Sequence, residues 1–322
     1  MSNYDTAKLV RGVVSDRDLI PVLTHFHMYG LRLQGTNGKL TIDAPWDDLS
    51  IDAPINIPAE PFVRAFEAMS EPHLLLKEDC LFVTEGKMRV KIPLSQDEFP
   101  RCEEPTDWQP MDNSIRDVCR SIRMFVSEDA SRPWACGVLY RDDFMYATNN
   151  VVVVRKKWSD PWHNEFTIPG FGIDQLAKID KDIDLFHVRD SAVGFKTKGD
   201  TWMESARYNS PWPDVESLFA AQDWDDLPPL SGTELTIVDK LLPFVPDKRH
   251  PVIQFQGNKI STMEGKMEAA VDIDCGHAAF HAVPLREVLA QATHMRFDAY
   301  PKAVPFENRA TGLQGIIAGV TI

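Results

Sequence analysis

A chain of 322 residues, 43% hydrophobic and 25% charged, is long for one core and suggests two or three domains; those proportions exclude an intrinsically disordered protein. Its 48 acidic against 34 basic residues, a net charge of −14, exclude a surface that is basic throughout but leave room for one basic face. No apolar run approaches the roughly 20 residues needed to cross a bilayer, and "MSNYDTAKLVRG" lacks the apolar stretch of a signal peptide, so a cytoplasmic protein is expected.

The first predicted element is a helix in "TAKLVRGVV". A hairpin follows in "YGLRLQGTNGKLTIDA", where alternating apolar residues flank an Asn-Gly turn. "INIPAEPFVRAFEAM" reads as a strand passing through Ile57-Pro58 into an amphipathic helix; proline suits a helix start, where its missing N–H is not needed. "LFVTEGKMRVKI" is a second hairpin turning at Gly86, and "DEFPRCEEPTDWQP" is a polar, proline-rich linker.

The same order then returns twice. "NSIRDVCRSIRMFV" predicts a helix, "CGVLYRDDFMYATNNVVVV" a hairpin with an Asp-Asp turn, and "FTIPGFGIDQLAKI" a strand and helix. "VGFKTKGDTWMESA" turns at Gly199, and "DWDDLPPLSG" is the next linker. The third pass is "IVDKLLPFV", cut short by Pro243, then a hairpin with a Gly-Asn turn in "VIQFQGNKISTM", then "HAVPLREVLAQAT" and "VPFENRATGLQGIIAGV". Pro58, Pro169 and Pro284 are 111 and 115 residues apart, and Gly86, Gly199 and Gly312 follow them by 28, 30 and 28. A period of that length, three times over, fills the chain and sets expected domains of 1–108, 109–229 and 230–322.

Catalytic chemistry finds little support. The phosphate-binding loop, the nucleophile elbow and the zinc-binding helix signature are all missing. The pairs His25/His27 and His277/His281 lack a third ligand of fitting spacing, so no metal site is expected. Five cysteines without a CxxC pair point to reduced thiols rather than disulfides or structural zinc. The acids of "DWDD" (223 to 226) sit in a linker, not on converging strand ends as a two-metal nuclease requires. Neither an enzyme nor a cofactor is expected. One feature stands against the acidic average: on a helix Arg116, Arg120 and Arg123 fall at i, i+4 and i+7, beside an apolar face of Ile115, Val118, Ile122 and Phe125.

Order and spacing together resemble the bacterial DNA polymerase III beta sliding clamp. "IPVLTHFHMYGLRLQGTNGKLTIDA" is similar to that family's proline-led strand, turn and strand, and "DEFPRCEEP" to its "DFP" segment. "GVLYRDDFMYATNNVVVVRK" resembles the hairpin ending in "ATDGHRLA": Ala147 and Thr148 match, while Asn149, Asn150, Val151 and Val152 replace Asp-Gly-His-Arg. "SPWPDVESLF" resembles the "FPDY" segment and "GIIAGVTI" the C-terminal strand. The resemblance covers nearly the whole chain, and its divergence suggests a phage-type member acting in a host cytoplasm.

The resemblance implies an α+β fold of three tandem DNA-clamp domains, ring-forming, with helices lining the inside and antiparallel sheets outside. It implies a homodimer; a trimer of two-domain subunits is the rival ring. The implied function is a processivity factor that encircles double-stranded DNA without reading its sequence and tethers a DNA polymerase, with a clamp loader as a further partner and no membrane. Implied DNA-facing cations are Lys8, Arg11, Arg64, Arg116, Arg120, Arg123, Lys178, Lys181, Lys240 and Arg286. The implied partner-peptide groove comprises Ala135, Thr148, Asn150, Val151, Val153, Pro213, Leu218, Val304, Ile316, Ala318 and Val320. With Val151-Val152 in place of His-Arg, that groove should favour peptides rich in Leu or Phe. The dimer interface is expected at Val90 and Ile92, with Phe244 and Val245 opposite. Readings from other classes are a phage structural protein of duplicated α+β units and a metal-dependent nuclease.

Overall fold

A computed structural model describes residues 2–47, 49, 51–158, 165–245, 247–249, 251–263, 265, 267–271 and 274–321. The chain opens with helix α1 (Asn3–Arg11), strands β1 (His25–Gly30), β2 (Arg32–Thr36), β3 (Leu40–Pro45) and β4 (Ile51–Pro58), helix α2 (Ala59–Glu67), and strands β5 (His73–Lys77), β6 (Cys80–Glu85) and β7 (Met88–Pro93). After the short strand β8 (Gln109–Pro110) the order recurs. It gives α3 (Ile115–Ile122), β9 (Gly137–Arg141), β10 (Phe144–Thr148), β11 (Val152–Lys157), β12 (Phe166–Pro169), α4 (Gly170–Leu176), β13 (Ile183–Val188), β14 (Ala192–Thr197) and β15 (Trp202–Ala206). A short helix α5 (Glu216–Ala220) precedes the third pass. That pass is α6 (Thr233–Leu241), β16 (Val252–Gln256), β17 (Lys259–Thr262), β18 (Glu268–Ala270), β19 (His277–His281), α7 (Ala282–Leu289), β20 (His294–Met295), β21 (Val304–Asn308) and β22 (Leu313–Ile317). Helix, four strands, helix, three strands is thus the repeated unit, and every named strand pairing is antiparallel.

By compactness the chain divides into two units that cut across these repeats: residues 1–116 with 171–207, and residues 117–170 with 208–322. Within the first unit an eight-stranded sheet runs β4-β1-β2-β3-β15-β14-β13-β8, and β5-β6-β7 form a separate sheet. Within the second, a seven-stranded sheet runs β12-β9-β10-β11-β22-β21-β20, and β18-β17-β16-β19 form a separate sheet. The first sheet of one repeat is therefore continued by the second sheet of the next, β3 by β15 and β11 by β22.

Local chemistry explains the turns. In the first unit Asn37 Oδ1 accepts from the amides of Lys39 and Leu40 at 3.0 and 2.9 Å, Thr36 Oγ1 donates to the Leu40 carbonyl at 3.1 Å, and Gly38 takes the left-handed φ of +80°. In the second unit Asn149, Val151, Val152, Thr148 and Asn150 reproduce every one of these bonds, with Asn150 at φ +71°. Asparagine tolerates that region better than other side chains, so "ATNNVV" folds as "GTNGKL" does. Asp142 and Asp143 both have positive φ, as a two-residue hairpin turn requires. Gly199 departs from expectation: the left-handed residue of its turn is Asp200, and Gly199 is small for a different reason. A Cβ there would lie 2.3 Å from Lys181 Nζ and 2.5 Å from its Cδ.

Each repeat carries its own aromatic core. Phe62 lies 5.8 Å from Phe26 and 4.8 Å from Phe66, fixing α2 on its strands. Phe255 packs 4.7 Å from Phe297 in the third repeat. The linker at 97–110 is stitched to its sheet rather than loose: Phe99 stacks on His27 at 4.8 Å, and the Gln34 amide exchanges two hydrogen bonds with the Cys102 backbone at 2.8 and 2.9 Å. His27 Nδ1 lies 2.8 Å from Asn56 Oδ1, and burial holds its pKa below the ordinary histidine value.

Candidate partner groove, cationic helices and open sheet edges

A groove of about 270 Å³ lies wholly within the second unit. Its floor is the junction of β11 and β22, where Val153 pairs with Ile316 and the Ala318 amide donates to the Val151 carbonyl at 2.8 Å. One wall is the segment leading into α5, with Pro213, Val215 and Leu218. The other is the loop after α3, with Arg132 and Trp134. Beneath it Leu139, Tyr146, Val153, Trp212, Val215, Phe219 and Ile316 form one buried cluster, and Trp134 meets Trp212 edge to face at 5.3 Å. The α5 wall is braced by Glu216, which accepts from the Tyr146 hydroxyl and from Arg155 Nη1 at 2.7 Å, while Arg155 lies over the Phe144 and Phe219 rings. Burial, then the bond to Glu216, pushes the Tyr146 phenol up.

Of the groove residues expected from sequence, Thr148, Asn150, Val151, Val153, Pro213, Leu218, Ile316 and Ala318 come together here. Ala135, Val304 and Val320 do not line it. The turn at Pro133–Cys136 buries Ala135 fully and gives its place to Trp134; in the same way Ala303 replaces the buried Val304. Val320 is bound elsewhere, its amide to the Ala279 carbonyl at 2.8 Å and its carbonyl to the Tyr300 hydroxyl at 2.6 Å. Arg132, Trp134, Val152, Val215 and Ala303 also line the groove but were not expected. Val215 could have been found, since it lies between two residues already chosen.

The corresponding place in the first unit is built from polar side chains. The Lys39 carbonyl accepts from the Ala206 amide at 2.7 Å, as Val151 does from Ala318, so the backbones match. The side chains do not: Thr41 pairs with Glu204 where the second unit has Val153 and Ile316. Cys102 Sγ lies 3.2 Å from Thr41 Oγ1, and the Asp43 carboxylate, fully buried, is held by Arg32, by Gln34 at 2.8 Å and by Tyr29 at 2.5 Å. Arg32 continues to Asp200 at 2.6 Å, and Lys196 ties Asp200 to Glu104 at 2.7 and 2.5 Å. Burial, then Asp43, pushes the Tyr29 phenol up to about 12.

The arginine stripe is broken by the backbone. Helix α3 ends at Ile122 and Arg123 begins a 3-10 turn, while Ile115, Val118, Ile122 and Phe125 are buried as the pattern predicts. Arg116 donates to the carbonyls of Ile179 and, at 3.3 Å, Lys181, closing the chain that leaves α4. Arg123 is half-buried, its guanidinium 3.4 Å from where a Cβ of residue 170 would stand. Arg120 is exposed. Elsewhere Arg11 and Arg64 share Glu60 at 3.3 and 2.7 Å, and Arg286 pairs with Asp239 at 2.5 Å. Lys181 lies along Gly199; Lys8 lies 5.4 Å from the Tyr4 ring centre and Lys178 bonds Gln175 at 3.1 Å, both exposed like Lys240.

Among the edge strands of the four sheets, β7 and β18 stand out by their place in the repeats. β15 and β22 close on β3 and β11; β7 holds the same place in the first repeat and has no such neighbour. β18 occupies in the third repeat the place of β3 and β11, again without one. Ile92 is buried on its own sheet and Val90 is half-exposed. Phe244 is 54% exposed although Val13 and Phe125, its counterparts in the other repeats, are buried; Phe125 packs 6.5 Å from Phe306 of β21. Val245 is buried. Among the described residues no three His, Cys, Asp or Glu side chains are grouped to hold a metal ion, and no helix is long and apolar enough to cross a membrane.

Repeats of helix, four strands, helix and three strands, sharing their sheets from one to the next, make the sliding-clamp fold. The chain superposes over its length on structures of that fold from DNA polymerase III beta subunits. With the Pseudomonas aeruginosa sliding clamp bound to griselimycin it shares 16% identity at a TM-score of 0.84, covering 99% of this chain and 97% of that one. With the Streptococcus pyogenes beta subunit the values are 14% and 0.85, and with the Bacillus subtilis sliding clamp 18% and 0.81, at the same coverage. No protein-family model matches the sequence, and no curated protein matches it.

Proposed function

We propose that this chain is a DNA polymerase processivity clamp. Its three repeats, 1–108, 109–229 and 230–322, act as the domains. Two copies close head to tail into a ring of six around double-stranded DNA, and the groove tethers short apolar segments of the polymerase, the clamp loader and other partners. The observation that carries this reading is the place of two edge strands: β7 and β18 are the counterparts of strands that are joined inside the chain as β15–β3 and β22–β11. Pairing β7 of one copy with β18 of another completes the pattern and removes two exposed strand edges. The same joint covers Phe244, whose counterparts are covered within the chain.

Sedimentation is expected to give about twice the 36.4 kDa chain mass, and electron microscopy a ring with a central hole. A compact monomer without a hole overturns the reading and favours a structural or nucleolytic protein.

The cations act on phosphates without reading bases, as a sliding protein requires. Arg120, exposed and without a bond to another described side chain, is the member of the stripe placed to do so, while Arg116 is engaged at two carbonyls. Arg120→Ala is expected to flatten the slope of log affinity against log salt by roughly 0.9 for duplex DNA. Arg116→Ala should instead lower the melting temperature. An unchanged salt slope in folded Arg120→Ala removes that residue from the DNA interface.

A further inference from the structure

The linkers do more than join repeats: each lays a short extended stretch along a strand edge. Gln109 and Pro110 of β8 pair with Phe186 and Leu185 of β13, and the Met111 amide donates to the Asp184 carbonyl at 3.0 Å. In the third repeat Pro229 pairs with His294 of β20. There the Leu230 amide donates to the Thr293 carbonyl and the Met295 amide to the Pro228 carbonyl, both at 2.9 Å. The register is the same both times, with a proline opposite Leu185 or His294. Phe186 and Met295, paired with buried Phe195 and Phe306 on the next strand, are each 1% exposed.

β5 holds this place in the first repeat. It is an outer strand of β5-β6-β7, and among the described residues no strand lies along its far side. Leu74 is the counterpart of Phe186 and Met295, paired with buried Val83, yet it is only half-buried, and Leu75 beside it is 44% exposed. The shared register turns the Pro72 carbonyl and the Leu74 amide away from β6. The His73 carbonyl between them faces β6, where Thr84 Oγ1 donates to it at 3.3 Å. At the His73 end of this edge opens a cavity of about 640 Å³, bounded by the start of α1 and the end of α2. It lies between the two features that a linker joins in the later repeats, the strand edge and the start of the first helix. Buried Phe66 and Met69 form its floor beside Tyr4, exposed Glu67 and Glu71 its rim, and no lysine or arginine lines it.

We propose that the β5 edge and this cavity are a docking site for an extended segment of a partner protein, one that carries a large apolar residue and a lysine or arginine. The segment adds a strand to β5-β6-β7, its backbone meeting the Pro72 carbonyl and the Leu74 amide as the linkers meet their counterparts. The apolar side chain seats on Phe66 and Met69. The basic side chain lays its stem along the same floor and its charge against Glu67 and Glu71. An acidic segment is turned away, because nothing in the lining offsets a further carboxylate. The site is separate from the apolar groove of the second unit and does not depend on it.

The test uses the full chain and a fluorescent octapeptide, blocked at both ends, in which Val and Thr alternate around one Leu and one Lys. In a second peptide Glu replaces Lys. Two more carry N-methyl groups at every second backbone amide, one in each phase, so that one strand edge or the other is blocked. The Lys peptide is expected to bind about ten-fold tighter than the Glu peptide, with the difference shrinking as salt rises. N-methylation in one phase should abolish binding and in the other should leave it. Glu71→Lys should reverse the charge preference, since Glu71 is exposed and its change spares the core. Leu74→Pro removes the outward amide at a position where an outer strand tolerates proline, so binding should be lost with little change in melting temperature. Ala318→Asp, in the other unit, should change none of this. Absence of binding by the Lys peptide, equal binding of Lys and Glu peptides, or indifference to N-methylation in both phases overturns the proposal. So does binding that survives in folded Leu74→Pro or disappears in Ala318→Asp. If Leu74→Pro fails to fold, Glu71→Lys decides: an unreversed preference overturns the proposal.

Discussion

Phe244→Asp is expected to turn the proposed dimer into monomers at micromolar concentration while leaving the folded chain intact. Phe244 is already 54% exposed in the isolated chain, so a carboxylate there disturbs little of the chain's own packing. In the proposed ring each copy contributes one Phe244 and the two joints are equivalent. Fully burying a phenylalanine contributes about 3 kcal/mol, and Phe244 is already about half covered, so two joints lose about 3 kcal/mol together, roughly two orders of magnitude in the dimer constant. Placing a carboxylate against apolar groups adds to the loss. Sedimentation equilibrium with a circular-dichroism melt reads both outcomes. A folded variant that remains dimeric moves the interface elsewhere. Val245→Asp would not serve, because Val245 is buried within its own repeat and its loss would act on folding.

The second large effect is expected in the groove. Ala318→Asp and Val151→Asp should each weaken binding of a Leu- and Phe-containing peptide by about 100-fold, with the dimer unchanged. A peptide anchor seated on a desolvated floor contributes about 2 to 4 kcal/mol, and a carboxylate on that floor removes the seat. Ala318 is exposed and Val151 half-exposed, so both changes spare the core. Ile316→Asp strikes harder, but Ile316 is 3% exposed and belongs to the buried cluster, so its melting temperature must be measured beside its affinity. Removing the last five residues is less clean, because Val320 is bonded to Ala279 and Tyr300. Undiminished binding by both surface variants would place the docking site away from β11 and β22.

Much of this architecture was legible in the sequence because it is written in short-range terms. Proline at a strand-to-helix step, two-residue turns and apolar alternation each act over a few residues, and three recurrences made them readable. What stayed illegible depends on contacts far apart in the chain. The stripe of Arg116, Arg120 and Arg123 assumed a helix running on past Ile122, and nothing local announces that Arg116 will bond carbonyls 63 and 65 residues away. Gly199 looked like a turn glycine, yet its smallness serves Lys181. In the groove, resemblance reached the strand residues but not Trp134. Whether Trp134 or Ala135 faces the groove is settled by a 3-10 turn, whose three-residue period no strand pattern reveals.

The sharing of sheets between repeats has a consequence for how copies can grow. β7 and β18 differ from one another and belong to the same chain, so a joint between them is head to tail and every added copy exposes a fresh pair of ends. A heterologous contact of this kind either returns to its starting point or continues without limit. In the proposed ring, closure after two copies is then a matter of the angle accumulated across each joint, not of the strength of any one of them. A substitution that keeps β7 and β18 sticky but alters that angle would yield filaments of folded protein.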